Sequence, residues 1–158
     1  MLPFVIERLI ISGLGKTDSV IEFSDGLTFV VGPSNTGKSH VMDGIDYLFG
    51  FSESATNPFR FEKDWGYDKF TLVVKTPHGN VILTRKLDEK KIKVTGTDER
   101  INHGEYSVSA NGANSISSVW LKLIGIDEHV QILSSKEGKK QGLTWRGMMH
   151  LFFVNQTQ

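Results

Sequence analysis

Residues Gly32-Pro-Ser-Asn-Thr-Gly-Lys-Ser39 fit the pattern G-x-x-x-x-G-K-[ST] without a mismatch, and no other stretch limits the fold as much. This is the P-loop spacing, and its logic is steric. Backbone N–H groups from Ser34 to Lys38 must turn inward around a polyphosphate. Gly32 and Gly37 therefore stand where a side chain would block the approach, with Pro33, Ser34, Asn35 and Thr36 between them. The pattern predicts that Lys38 reaches the β- and γ-phosphates and that the Ser39 hydroxyl ligates Mg²⁺. The helix beginning here adds the positive end of its dipole. The His40 backbone N–H is expected to face an α-phosphate, and its imidazole reads as a packing or surface group.

The flanks supply the order such a loop needs. Leu27-Thr-Phe-Val-Val31 is apolar and β-branched, which predicts a strand buried on both faces and running into the loop. After it, residues 39–49 place Val41, Ile45, Leu48 and Phe49 at helical spacing, with Asp43 and Asp46 on the other side and Gly50 as the stop.

Composition excludes several classes. At 158 residues the chain suits one domain with a real core. Lys plus Arg and Asp plus Glu balance at 18 each, so no global field attracts nucleic acid or an acidic membrane, and any DNA contact needs a local patch. With no cysteine, disulfides, zinc ribbons and thiol chemistry fall away, and a reducing compartment is expected. The five histidines, His40, His78, His103, His129 and His150, are never paired at metal-ligand spacing. The N-terminal apolar run is broken by Glu7 and Arg8 and reads as a strand rather than a leader. No run is long enough to span a bilayer. The expectation is a cytoplasmic protein without a membrane partner.

Along the chain, residues 4–12 and 19–23 read as a hairpin preceding the P-loop strand, which suggests a sheet added beside the nucleotide site. Residues 51–65 read as a loop. A meander follows: strands at 70–75, 81–87, 91–95 and 105–108, with turns at 77–80, 88–89 and 111–112. A helix over 115–124, capped by Ser115 or Ser117, ends at Gly125. Residues 130–133 form a short strand, 134–142 a charged loop, and a last helix starts at the Thr144 cap and includes Phe152. The polar end soon after that helix reads as the N-terminal part of something longer. Two basic groups, Arg85, Lys86, Lys90, Lys91, Lys93 and Arg100, then Lys136, Lys139, Lys140 and Arg146, read as solvated faces. Trp65 and Trp120 read as core or packing residues rather than base-stacking platforms.

Residues 5–50 resemble the N-terminal ATPase half of the SMC (structural maintenance of chromosomes) family and its RecF- and RecN-like relatives. The matching text is Ile6-Glu-Arg-Leu-Ile-Ile-Ser-Gly13, Ile21-Glu-Phe-Ser-Asp-Gly-Leu-Thr28, Val31-Gly-Pro-Ser-Asn-Thr-Gly-Lys-Ser39, Met42-Asp-Gly-Ile-Asp46 and Leu48-Phe-Gly50. Thr84-Arg85 and residues 105–112 are similar to later segments of that family. The family's usual Asn-Gly inside the loop is here Ser34-Asn35. If the second position needs φ above zero, Asn is the next best residue after Gly.

The resemblance implies an α/β fold of ABC type: a P-loop NTPase half-domain, a mixed sheet around the P-loop helix and an added antiparallel β meander. It divides one lobe, residues 1–158, into hairpin, P-loop strand and helix (1–50), meander (69–112) and helices leading to a Q-loop (115–158). It implies ATP and Mg²⁺ as ligands, Gln156 (with Gln158 as second choice) beside the metal and the attacking water, and Lys38 as the phosphate-binding cation. It also implies a partner, a second head or a C-terminal half carrying the Walker B and signature motifs, and DNA as a possible further partner. Hydrolysis needs an Mg²⁺-holding acidic strand as well as the P-loop. Asp127-Glu128 precedes its apolar run and Asp88-Glu89 lies in a turn, so the chain alone is expected to bind ATP weakly and hydrolyse it slowly or not at all. Two other readings remain open: a nucleotide-gated binding module, and a small P-loop kinase-like NTPase.

Overall fold

The structure, a computed structural model, describes residues 2–151 except 35, 56, 57, 60, 110, 111, 113, 127–129 and 135–137. Strands form where β-branched and apolar residues alternate with polar ones. They are β1 (Val5–Ser12), β2 (Ser19–Glu22), β3 (Lys69–Thr76), β4 (Gly79–Lys86), β5 (Lys91–Gly96) and β6 (Gly104–Ser107). They make one sheet in the order β2-β1-β3-β4-β5-β6. Every pairing in it is antiparallel, so the mixed sheet expected from the sequence is corrected to an antiparallel one among the described residues.

The period of two decides which face is inside. Leu9 and Ile11 on β1, Phe70, Leu72 and Val74 on β3, Val81, Leu83 and Arg85 on β4, and Ile92 and Val94 on β5 are all buried. The helix α1 (Lys38–Leu48) packs over β1, β3 and β4. Val41, Ile45 and Leu48 face the core as the helical spacing requires. Gly44 lies between them, where a Cβ would stand 3.1 Å from a Leu9 methyl and 3.3 Å from the Phe70 ring. Its missing side chain lets the helix lie close to the sheet.

Two side chains of α1 depart from the expected pattern. Asp46 is not on a free polar face: it is half-buried and ion-paired with Arg146. Burial pushes its carboxyl above the ordinary range and Arg146 opposes this. Tyr47 is buried, and its hydroxyl donates to the Lys86 carbonyl at 2.9 Å.

The second helix α2 (Ile116–Leu123) starts where Ser115 Oγ accepts from the Ser117 N–H at 3.2 Å. It ends just before Gly125, whose φ of +77° suits glycine. The short α3 (Trp145–Met149) is capped by Thr144 and tied to α2 by the Trp145 N–H, which donates to Ser117 Oγ at 2.7 Å. The stacked Trp120 and Trp145 rings, 5.6 Å apart, fill the space between the two helices. This helix is shorter than the expected one through Phe152, a residue outside those described. Part of the expected charged loop, Lys140–Gly142, is the strand β8, which pairs with β7 (Gln131–Leu133) as a separate hairpin.

The largest difference concerns the stretch before the P-loop. Residues 27–31 belong to no strand of the sheet, and Leu27, Phe29 and Val31 are 78%, 75% and 85% exposed. The expectation of a strand buried on both faces is therefore corrected. Apolar, β-branched composition states what a segment is suited to, and it does not supply the neighbour. No described helix is long and apolar enough to cross a membrane.

Candidate functional site

The P-loop links this exposed segment to α1. Gly32, Pro33, Ser34 and Thr36 are exposed in an irregular turn, and Asn35 lies outside the described residues. Gly37 adopts φ +82° and serves as the N-cap of α1, a conformation that disfavours a side chain. A Cβ at Gly32 would meet Thr36 Oγ1 at 3.0 Å, and Thr36 Oγ1 donates to the Pro33 carbonyl at 2.7 Å. The motif glycines thus stand at the two points where the turn has least room or needs a left-handed residue.

Lys38 opens the helix and its side chain curls back over the loop. Its Nζ donates to the Gly32 carbonyl at 2.7 Å, to the Pro33 carbonyl, and more weakly to Thr36 Oγ1 at 3.4 Å. Ser39 follows with an exposed side chain. Among the described residues no side chain caps the helix and no acidic residue stands in its first turn, so none of them neutralises the positive end of its dipole. An ammonium at the mouth of the loop, an exposed hydroxyl beside it and an uncapped helix N-terminus suit a phosphate-bearing ligand with its divalent cation. Lys38 would hold the phosphates and Ser39 the cation. Among the described residues no group of three His, Asp or Glu is placed to hold a metal ion. Gln156 and Gln158, expected beside the metal, lie outside the described residues.

His40, in the first turn of α1, donates its backbone N–H to the Gly37 carbonyl at 3.0 Å instead of leaving it free for a phosphate, and its ring lies between Gly37 and the aromatic residues that follow the helix. The imidazole meets Trp65 edge-on at 4.9 Å and Phe61 at 5.7 Å, with Nδ1 3.6 Å from the Asp43 carboxylate. It packs, as its position suggested. Trp65 ends the 3₁₀ turn Lys63–Trp65 and is 39% exposed, whereas Trp120 is fully buried. The expected core or packing role holds for both, Trp120 within the core and Trp65 packed on His40 and Phe61.

Arg85 is where sequence reasoning erred most. Expected on a basic solvated face, it is 3% exposed and lies on Tyr47 at the far end of α1. Its guanidinium donates to the Tyr47 and Phe51 carbonyls at 2.7 Å each and, through Nε, to the Glu89 carbonyl at 2.8 Å. A cation on the Tyr47 carbonyl, in the last turn of α1, complements the negative end of that helix. The signal was present in the alternation, because Val81, Leu83 and Arg85 share one face of β4. Other members of the basic groups are also engaged, Arg100 with Asp98, Lys91 with Glu105 and Arg146 with Asp46, while Lys136 lies outside the described residues.

An antiparallel sheet carrying an amphipathic helix, with a complete glycine-lysine-serine loop at the helix N-terminus, defines an α/β domain of the P-loop class. A family model described as an AAA domain matches residues 8–158. The chain belongs to that family of P-loop ATPase domains, which is found in SMC- and RecF-like proteins. No curated protein matches the sequence closely enough to count as a relative.

Proposed function

We propose that the chain is the ATP- and Mg²⁺-binding N-terminal head lobe of an SMC- or RecF/RecN-like coiled-coil ATPase acting on DNA in repair, chromosome maintenance or defence against foreign DNA. Residues 32–39 bind the triphosphate, Lys38 as the cation and Ser39 at the metal, with Gln156 as the further metal-side residue. A second head, or a C-terminal half with the Walker B and signature motifs, supplies the acidic group and completes hydrolysis. The observation that carries this reading is the state of residues 27–31. The stretch feeding the P-loop is apolar and β-branched, yet it is exposed and unpaired, which is what a strand awaiting neighbours from another unit presents. Family membership supports nucleotide binding. The pathway, DNA and the identity of the completing unit rest on the resemblance.

The first test is calorimetric titration of the chain with Mg²⁺·ATP beside Lys38→Ala. The parent binds, and the variant loses at least tenfold in affinity with its far-ultraviolet spectrum and melting temperature preserved, since the ammonium of Lys38 touches only loop atoms. Equal affinity in the two proteins removes the reading.

A further inference from the structure

Trp65 joins the core to the phosphate loop through an unbroken file of rings. On β3, Phe70 meets Phe61 edge-on at 4.9 Å. Phe61 meets Trp65 at 5.0 Å, and Trp65 meets His40 at 4.9 Å. His40 in turn leans on Gly37, with its Cδ2 3.8 Å from where a Cβ would be. The indole is thus held by rings rooted in the sheet, and one ring, that of His40, stands between it and the N-cap glycine of α1. A large aromatic side chain fixed in this way has lost its conformational freedom before any ligand arrives, yet it keeps 39% of its surface open.

Its flank is shaped as well. Gly66 has φ +79° and no side chain, and Lys16 from the β1–β2 turn lies across it, its Nζ 3.5 Å from the position a Cβ would occupy. The turn and the Trp65 loop are in close contact, since a Cβ at Gly13 would collide with the Gly66 carbonyl, and the Tyr67 hydroxyl donates to the Thr17 carbonyl at 3.0 Å. An ammonium donor therefore stands at Gly66, next in the chain to a rigid and partly open indole. Ring nitrogens of a base accept such a donor, and a base stacks on such a face.

We propose that Trp65 is the nucleobase platform of this site: the base of the bound nucleotide stacks on the exposed indole, with Lys16 at its edge. This rests on the reading of residues 32–39 as the triphosphate site and adds to it the part of the ligand that the loop itself does not touch. His40 and Phe61 are positioning residues here. They hold the indole and need not meet the ligand.

The experiment separates the two halves of the ligand. The full 158-residue chain is titrated with Mg²⁺·ATP and with Mg²⁺·tripolyphosphate, which carries the phosphates and no base, in the parent, Trp65→Ala and Trp65→Phe. Trp65→Ala weakens ATP about tenfold and leaves tripolyphosphate unchanged, and Trp65→Phe keeps most of the ATP affinity. In the parent, ATP quenches tryptophan emission and tripolyphosphate does not, and the difference vanishes in Trp65→Phe because Trp120 and Trp145 are buried. Unchanged ATP affinity in Trp65→Ala, or equal weakening of both ligands, overturns the platform while leaving the phosphate site standing. If the parent binds neither ligand, the phosphate site fails and the platform with it. Should Trp65→Ala not fold, the emission difference between parent and Trp65→Phe decides, and its absence counts against the proposal.

Discussion

The Arg85 guanidinium carbon lies 3.6 Å from the centre of the Tyr47 ring, so that a cation of the meander is stacked on the next-to-last residue of the P-loop helix. The same guanidinium donates to the Tyr47 and Phe51 carbonyls, and the Tyr47 hydroxyl returns a bond to the Lys86 carbonyl. Burial lowers the arginine's affinity for its proton and pushes the tyrosine phenol above its ordinary range. The helix that presents the phosphate loop at one end is fastened at the other.

Arg85→Met keeps much of the apolar stem and removes the donors. It is expected to cost about 2 kcal/mol, since each lost hydrogen bond from a charged donor contributes on this order and the freed carbonyls are partly rebonded. Chemical denaturation checks this, and a variant as stable as the parent would remove the fastening role.

Asp98 gives the sheet a pH-dependent tie. Its buried carboxylate accepts from Arg100 Nε at 2.9 Å and NH2 at 2.6 Å, and from the Thr76 hydroxyl at 2.6 Å. Bonding to Arg100 first, then the Thr76 hydroxyl and the Arg100 backbone N–H, hold it well below the usual carboxylate value of 3.8 against the opposing effect of burial. The folded state therefore resists protonation. Its contribution is fully present above about pH 5, falls as pH drops through 3.8, and is lost below the folded value. Asp98→Asn should cost about 2 kcal/mol at neutral pH and progressively less in acid. Parallel melting curves at all pH values would contradict this.

Phe29 and Val31 should be dispensable for this chain's own stability. Phe29→Ser with Val31→Ser changes two largely exposed side chains, so the stability should stay within about 0.5 kcal/mol of the parent. Light scattering should show less self-association, because an apolar patch has been removed. A loss above about 1 kcal/mol would mean that the segment is packed in solution.

Much of this architecture could be read beforehand, for identifiable reasons. Strands β3 and β4 were legible because Phe70–Val74 and Val81–Leu83 are apolar runs rich in β-branched residues with a turn between them. The helix α1 was legible from Val41, Ile45 and Leu48, and the Ser115 and Thr144 caps from their side-chain oxygens. What could not be read was pairing at a distance. Residues 27–31 look like a core strand because composition reports suitability for burial and is silent about the partner. Arg85 and Asp46 were assigned to water because their charges suggested it, and only the fold reveals that helix-end carbonyls and Arg146 await them. Of the site, the loop was explicit as a motif, while the meeting of Trp65 with His40 spans 25 positions and leaves no local pattern.

Phe23 donates to the Glu7 carbonyl at 2.9 Å and Asp68 to the Ser12 carbonyl at 3.0 Å, so the segment holding the loop and its helix departs from and returns to the two ends of β1. Those moorings are only about 17 Å apart along an extended strand. Between the moorings, α1 is pinned to the same sheet by Val41, Ile45 and Leu48 and by Arg85 on Tyr47. The height of the glycine loop above the sheet is thus set by the scaffold from both feet of the excursion.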